Sequence, residues 1–312
     1  MPIPGSSGPL AGIRVLDAAT GIAGPYAAMF LGDQGADVVK AEPAGGDPYR
    51  SDPGFQTVNR NKRSVVVDAE RVLEGLVPAA DVVIVDRPGQ AERLREANQA
   101  AVIVTMPPWG ERGPTVGDPC GRTLLHAATG IAWNQQSYGE TPVDVVIPVA
   151  SYGAGVLGAL AAAAGLLVRR RRGVAPTYEV SEVAGAAAMQ LGEFRLAGDT
   201  EPRAVASALG SKGRVACYRL IEAGDGRWFF LACGTARFYR RMLDVIGRPD
   251  LIDDPLLANP PWGLLEDEAI ARITPILDEA FATRPRDEWL QLLAEADVPA
   301  QPVLRRQEFL LT

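Results

Sequence analysis

Short β-branched runs alternate with helical stretches along the first half of the chain. Between the first two runs, the pattern predicts a helix at 25–35. Alternation of this kind is typical of a parallel sheet with helices on both faces. We therefore expect an α/β, Rossmann-like large domain over residues 1–197. Its predicted strands are 13–17, 36–42, 64–68, 81–85 and 101–105.

The pattern changes in the second half of the chain. A polar, Gly-containing stretch at 198–212 predicts a linker. Apolar runs at 215–220 and 228–232 then flank the pair Asp225-Gly226, a strong turn signal for a β-hairpin. The sequence therefore predicts a smaller α+β domain over 213–312. Its predicted helices are 237–247, 266–282 and 286–296.

The apolar run 145–150 predicts a strand that leads into an Ala- and Gly-rich helix at 152–168, with Ser151 at the junction. A helix N-terminus offers unpaired N–H groups and partial positive charge, which suit a carboxylate or a nucleophile. Serine is also a preferred N-cap residue. The sequence leaves both interpretations of Ser151 open.

Composition and charge narrow the class of protein. The chain has 312 residues, 47% of them hydrophobic, and a net charge of −7, which argues against a nucleic-acid partner. A run of four arginines, 169–172, fits a helix C-terminus better than a phosphate site. The three cysteines form no CxxC pair, so neither a disulfide framework nor a metal site is expected.

The sequence also bears on location. Its first residues lack the basic region and apolar core of an export signal. The apolar stretch 156–168 is short for a membrane span, so no membrane association is expected. We predict a cytoplasmic protein with reduced thiols.

His126, the single histidine, is either a packed helix residue or the one available imidazole base.

Ordered motifs carry a family resemblance over nearly the whole chain. They are Gly12–Asp17, Ala23–Pro25, Leu31–Pro43, Asn61–Ser64, Gly113-Pro114, Asp225–Trp228, Gly247–Leu251 and Val298–Val303. With these motifs the chain resembles the class III CoA-transferase family, which includes formyl-CoA transferase, carnitine CoA-transferase and α-methylacyl-CoA racemase. The resemblance implies coenzyme A, as an acyl-CoA, for the ligand.

For architecture, the resemblance implies a Rossmann-like domain, a smaller domain and two chains interlocked as rings. Family members usually continue past a helix like 307–311, and the added tail returns to the large domain. This sequence ends at Thr312, so we expect the C-terminal return segment to be missing. The expected partner is a second copy, with or without interlocking, or a paralogue in a heterodimer.

The resemblance also assigns residues that hold CoA. They are Ala23, Glu42, Pro43, Asn61, Lys62, Arg63, Val67 and Arg93. Helix N-termini and arginine side chains suit phosphates on physical grounds as well. Each basic residue has an alternative interpretation as a solvated surface charge.

Catalysis is where the sequence departs from the family. The aspartate that attacks the thioester falls on Ser151, and a serine ester lacks the energy of an acyl anhydride. The acid and base positions of the racemase branch fall on Gly121, Ser151 and Thr235. The remaining candidates are Ser151 itself, His126 and Glu182, which is alternatively a helix-start residue.

Three hypotheses follow. The protein is an enzyme that acts on an acyl-CoA by altered chemistry, a non-catalytic subunit that pairs with an active paralogue, or an acyl-CoA binding protein without turnover.

Overall fold

The computed structural model describes residues 8–67, 70–134, 141–191 and 215–310. These residues form two compact units. The first contains 8–132 and 144–191, and the second contains 133–134, 141–143 and 215–310. The predicted linker 198–212 lies outside the described residues, so the domain boundaries remain a prediction.

A six-stranded parallel sheet forms the centre of the first unit. Its order, β3-β2-β1-β4-β5-β6, is that of a Rossmann fold, as expected. Strands β4 and β5 are buried at every position, which is typical of central parallel strands covered on both faces. The strands are β1 (Arg14–Asp17), β2 (Asp37–Glu42), β3 (Lys62–Val66), β4 (Val82–Val85), β5 (Val102–Thr105) and β6 (Thr177–Glu179).

Helices cover both faces of this sheet. The helices of the first unit and its margin are α1 (Ala23–Asp33), α2 (Gly54–Val58), α3 (Glu70–Leu76), α4 (Gln90–Ala97), α5 (Arg122–Ala128), α6 (Ile131–Asn134), α7 (Val149–Arg172) and α8 (Glu182–Met189). One core joins α1 and α7 to the sheet, and a second core joins α3 and α4 to its opposite face. Successive residues of each strand therefore pack into different cores, because their side chains alternate between the two faces of the sheet.

The prediction of a strand at 145–150 is wrong. Helix α7 begins at Val149, and Pro148 occupies the N-cap position. Val146 and Ile147 are 79% and 59% exposed, so the apolar run is not a buried strand. Proline keeps the preceding residue out of the helical region, which explains why the helix starts only after it. At the other end, Arg169–Arg172 form the last turn of α7, as predicted.

The second unit contains a three-stranded antiparallel sheet in the order β7-β8-β9. Strands β7 and β8 form the predicted hairpin, and Gly226 adopts a φ of 73° in its turn. Helices pack on this sheet around Phe229, Phe281 and Trp289. The elements are β7 (Tyr218–Glu222), β8 (Trp228–Ala232), β9 (Ala300–Pro302), α9 (Ala236–Val245), α10 (Asp267–Phe281), α11 (Arg286–Glu295) and α12 (Arg306–Phe309).

Candidate functional site

A cleft opens at the carboxyl edge of the parallel sheet. Strands β1 and β4 are neighbours there, at the point where the strand order reverses, and open α/β sheets bind ligands at this point. The cleft has a volume of about 210 Å³. Thr20 lines it after β1, Glu42 and Pro43 at the end of β2, Val67 after β3 and Arg87 after β4. Glu42, Pro43 and Val67 are among the residues assigned to CoA from the sequence.

Glu42 is a buried carboxylate in the wall of the cleft. It accepts hydrogen bonds from Arg50 Nε at 2.6 Å, Arg50 Nη2 at 2.7 Å and Ser64 Oγ at 2.6 Å. The backbone N–H of Asp47 donates a further bond at 3.1 Å. Burial alone would raise the pKa of Glu42, but the bonds from Arg50 and Ser64 lower it to about 2. Glu42 therefore carries a permanent negative charge that fixes the segment 47–50 beside the cleft.

Lys62 lies beneath the cleft in a buried ionic network. Its Nζ donates to Asp17 Oδ2 at 2.8 Å, to the carbonyl of Pro25 at 2.7 Å and to Asn59 Oδ1 at 2.8 Å. An ammonium has three donors, so these acceptors use all of them. The side chain of Lys62 is only 2% exposed. The sequence had left open whether this lysine contacts a phosphate of CoA or is a solvated surface charge. Lys62 therefore joins the end of β1 to α1 and to the residue that follows α2.

Lys40 completes this network from β2. Its Nζ pairs with Asp47 Oδ2 at 2.9 Å and donates to the carbonyl of Ala19 at 2.9 Å. Burial alone would lower the pKa of Lys40, but the carboxylates of Asp17 and Asp47 raise it. The charged side chain therefore joins the loop after β1 to the loop after β2.

The other residues assigned to CoA lie apart from the cleft lining, and Asn61 and Arg63 lie at the amino end of β3. Arg63 Nη2 donates to both oxygens of Asp37 at 2.7 Å, and Asn61 Nδ2 donates to Asp33 Oδ1 at 2.6 Å. Ala23 is the buried first residue of α1, and Arg93 is exposed on α4. Their contacts with CoA remain a prediction.

Asp86, directly after β4, is a site residue that sequence reasoning missed. Its Oδ2 accepts bonds from the backbone N–H of Thr20 at 2.7 Å and from Thr20 Oγ1 at 2.6 Å. Burial raises the pKa of this carboxyl, although the bonds from Thr20 oppose the shift. The sequence does place this aspartate at the carboxyl end of a buried strand, where functional side chains of α/β folds lie. Because Pro88-Gly89 follows closely, Asp86 also resembles an ordinary turn residue.

Ser151 and Glu182 meet where α7 and α8 begin. Ser151 lies in the first turn of α7, is 6% exposed, and donates its hydroxyl hydrogen to the Glu182 carboxylate. The N-cap interpretation of Ser151 is therefore wrong, because Pro148 holds that position without a side-chain cap. Glu182 is the first residue of α8, and the cap of α8 is Ser181, whose Oγ accepts from the backbone N–H of Ala184.

Two glycines bring α7 and α8 close enough for this contact. A Cβ on Gly185 would lie 2.3 Å from the carbonyl oxygen of Ala150 and 2.3 Å from the backbone nitrogen of Ala154. A Cβ on Gly153 would lie 2.8 Å from the carbonyl oxygen of Gly185. The backbones therefore approach closely at the turn that carries Ser151.

The surroundings of Glu182 favour its neutral form more than water does. Burial raises the pKa of Glu182, the charge of Asp86 raises it further, and the bond from Ser151 opposes both effects. Burial also raises the pKa of the Cys120 thiol to about 11, with a contribution from Glu182. Asp86 and Cys120 thus lie within electrostatic range of Glu182.

His126 engages a different carboxylate. It is fully buried on α5, and its Nδ1 lies 3.3 Å from Asp144 Oδ1. Asp144 also accepts from Arg122 at 2.8 Å and from Thr123 at 3.1 Å, so it is tied to α5 and does not stand on a strand. Within the described residues, His126 Nε2 has no hydrogen-bond partner. Through Asp144, His126 therefore contacts the segment that precedes α7.

The described residues contain no group of three or more His, Cys, Asp or Glu side chains arranged to hold a metal ion.

Comparison with known proteins identifies the family. Residues 10–312 match the model of CoA-transferase family III. The alpha subunit of succinyl-CoA–L-malate CoA-transferase from Chloroflexus aurantiacus is 28% identical, over 95% of this chain and 74% of that protein. Its beta subunit is also 28% identical, over 95% of this chain and 78% of the subunit.

A mycobacterial relative supports the same assignment. A probable fatty acyl-CoA transferase from Mycobacterium tuberculosis is 29% identical, over 94% of this chain and 82% of that protein. A crystal structure of that protein superimposes with a TM-score of 0.82 at 27% identity, covering 98% of this chain and 85% of the other. The chain belongs to CoA-transferase family III.

Proposed function

We propose that this protein binds an acyl-CoA thioester at the cleft beyond β1, β2 and β4 and acts on it without an aspartyl anhydride. The observation that carries the proposal is the match to family III over residues 10–312 together with Ser151 at the position to which the resemblance assigns the aspartate. The relatives named above use succinyl-CoA or fatty acyl-CoA. Succinyl and fatty acyl groups are therefore the first acyl groups to test.

The start of α1 supports binding of an anionic or polarised group. Ile22 occupies the N-cap position of α1 and provides no side-chain hydrogen bond to the first turn. The N–H groups in the first turn of α1 favour phosphate, carboxylate or thioester oxygens. The proposal assigns Ala23 and its neighbours to this contact, Pro43 and Val67 to the cleft wall, and Arg63 and Arg93 to the phosphates.

Calorimetric titration with CoA, acetyl-CoA, succinyl-CoA and a long-chain acyl-CoA tests the binding. We expect Val67→Trp to fill the cleft and weaken binding at least about tenfold, which corresponds to about 1.4 kcal/mol. Val66→Trp is the matched control, because Val66 is 61% exposed on the neighbouring position. Absence of heat with all four compounds, or equal affinity in both variants, would contradict the proposed site.

A second candidate function is that of a subunit in a mixed assembly. The chain is equally similar to the separate alpha and beta subunits of one relative. Val156, Leu160 and Leu167 are exposed at helical spacing on α7, and such an apolar stripe is suited to a second chain. A homodimer is the simpler proposal. Light scattering of the purified protein, alone and co-expressed with an adjacent paralogue, distinguishes the two.

A cytoplasmic location is also part of the proposal. Among the described helices, α7 is the one long and apolar enough to cross a membrane, but its glycines and alanines pack against α1 and α8. The cysteines at 120, 217 and 233 are free thiols. Fractionation of cells that produce the protein tests this location.

A further inference from the structure

We infer that Glu182 is the nucleophile of this site, attacking the acyl-CoA thioester in place of the aspartate absent from position 151, while Ser151 positions its carboxylate. The inference rests on the proposed function, because it requires that an acyl-CoA binds. The proposed function names no nucleophile. Here the attacking atom is assigned to Glu182 on α8, across the α7–α8 contact from position 151 on α7.

The first argument is geometric. Ser151 Oγ is attached to the same Cβ that would carry an aspartate carboxyl group, and this oxygen donates directly to the Glu182 carboxylate. The carboxylate of Glu182 therefore lies one hydrogen bond from the side-chain oxygen of position 151. A carboxylate is present at this end of α7, although it is supplied by a different helix.

The second argument concerns the structural role expected of an acidic residue at position 182. The cap of α8 is made by Ser181, so the helix does not need the Glu182 side chain for that purpose. An acidic residue in a first helical turn is usually solvated, whereas the Glu182 carboxylate is bonded to the buried Ser151. Burying a carboxyl group costs free energy unless hydrogen bonds or an opposite charge compensate it.

The third argument concerns the electrostatic link between Glu182 and the cleft. Thr20 lines the cleft and donates two hydrogen bonds to Asp86, and the charge of Asp86 acts on Glu182. The Glu182 carboxyl group therefore lies within electrostatic range of Asp86, whose hydrogen-bond donor Thr20 lines the cleft. All of these groups belong to the first unit.

The chemistry balances with two reactants, the acyl-CoA and an acceptor carboxylate. The Glu182 carboxylate attacks the thioester carbonyl, the C–S bond breaks, and an acyl-glutamyl anhydride and CoA thiolate result. The thiolate then attacks the glutamyl carbonyl, which releases the first carboxylate and leaves a glutamyl-CoA thioester. A second carboxylate attacks this thioester, and returning thiolate forms the new acyl-CoA and restores Glu182. No oxidant, reductant or metal takes part.

The same hydrogen bond permits an alternative in which Glu182 removes the proton of Ser151 and the serine attacks. That route ends in an oxygen ester, from which thiolate does not readily regenerate a thioester. The two routes differ in their dependence on the hydroxyl group. Ser151→Ala abolishes serine attack, but it removes only one hydrogen bond from a carboxylate nucleophile.

The experiment traps the intermediate on the full-length protein. The protein is incubated with succinyl-CoA, acetyl-CoA or a long-chain acyl-CoA and quenched with neutral hydroxylamine, and its peptides are mapped by mass spectrometry. We expect a glutamyl hydroxamate on Glu182 with at least one of these compounds, and none in Glu182→Gln. Glu279→Gln, an exposed change of the same kind on α10, is the control and is expected to label like the unchanged protein.

Rates of acyl-CoA and free-acid exchange provide a second measurement. We expect Glu182→Gln to lower the rate at least about 1,000-fold, as removal of a nucleophile does. Ser151→Ala is expected to lower it about 10- to 100-fold, the effect of one hydrogen bond to a charged group. It should also move the acidic limb of the pH–rate profile to higher pH, because the Ser151 bond lowers the pKa of Glu182.

The outcomes separate the two proposals. If acyl-CoA binds by calorimetry but Glu182 is never labelled, or if Ser151 carries the acyl group, the assignment of Glu182 is overturned while the proposed binding function stands. If none of the acyl-CoAs binds, the proposed function fails first. Full labelling of Glu182 in Ser151→Ala supports the carboxylate route, and its complete loss there overturns it.

Discussion

At Glu182, a partly buried carboxyl group has one hydroxyl donor, Ser151, and a second carboxyl group, Asp86, within electrostatic range. Its ionised form is needed for attack on a thioester. Since burial raises its pKa above the usual value for glutamate, the reactive fraction increases with pH over a range higher than usual. We expect exchange activity to rise as pH rises through that range, and a flat profile between pH 4 and pH 8 would contradict this.

Ser151→Asp tests the electrostatics of the same pair. The variant places a second carboxyl group against Glu182, and two adjacent carboxylates cannot both ionise without cost. We expect its free energy of unfolding at pH 7 to fall by about 1–3 kcal/mol, with partial recovery near pH 5. In Ser151→Asp/Glu182→Gln one carboxylate remains, so stability and exchange should both return toward those of the unchanged protein. Urea unfolding and exchange assays measure the two quantities, and a stable, fully active single variant would contradict the contact.

Glu42 provides a separate prediction at residue scale. Hydrogen bonds from Arg50 and Ser64 overcome the effect of burial and lower its pKa to about 2. A lowered pKa in the folded state stabilises the protein above the ordinary glutamate range, and this contribution is lost as pH falls toward 2. Glu42→Gln should therefore cost about 1–3 kcal/mol at pH 7 and less at pH 3, measured by urea unfolding. A loss that does not change with pH would show that Glu42 is not charged.

At the scale of elements, the hydrophobic pattern predicted β1 to β5, α1, the hairpin and the helices α9 to α11, because each has its own periodicity and turn signals, but it did not predict the short strand β6. It failed at 145–150, where an apolar run precedes a helix. Periodicity cannot distinguish a short apolar strand from an apolar segment leading into a helix, and Pro148 was the informative residue. Asp144, directly before this run, is bonded to α5.

The contact between α7 and α8 makes a prediction for glycine. Gly185→Ala places a methyl group 2.3 Å from backbone atoms of α7, so the helices must separate. We expect a loss of about 1–3 kcal/mol of stability together with weaker labelling of Glu182. Gly75→Ala on α3 is the control, because a Cβ there meets nothing within 4 Å and alanine favours helix. Equal stability of both variants in thermal unfolding would contradict the close approach.

For the whole molecule, the site is made by residues far apart in sequence. The residues Ser151 and Glu182 were each candidates from the sequence, but their contact was not, because 31 positions separate them and the glycines that allow it are on both helices. Lys62 was assigned to CoA by the family resemblance at 61–64, with a solvated surface charge as the alternative. Only the fold shows that Asp17 and Asn59 surround its ammonium group.

Because the cleft is formed within the first unit, CoA should protect that unit selectively. A ligand that binds the folded state stabilises the segments that contact it against local opening. In hydrogen exchange with saturating CoA, we expect slower exchange in the loops 18–22, 43–47 and 86–89. The hairpin 218–232 should exchange at an unchanged rate, since its strands belong to the second unit. Equal protection of this hairpin, or protection absent from all three loops, would place the ligand elsewhere and contradict the assignment of the cleft.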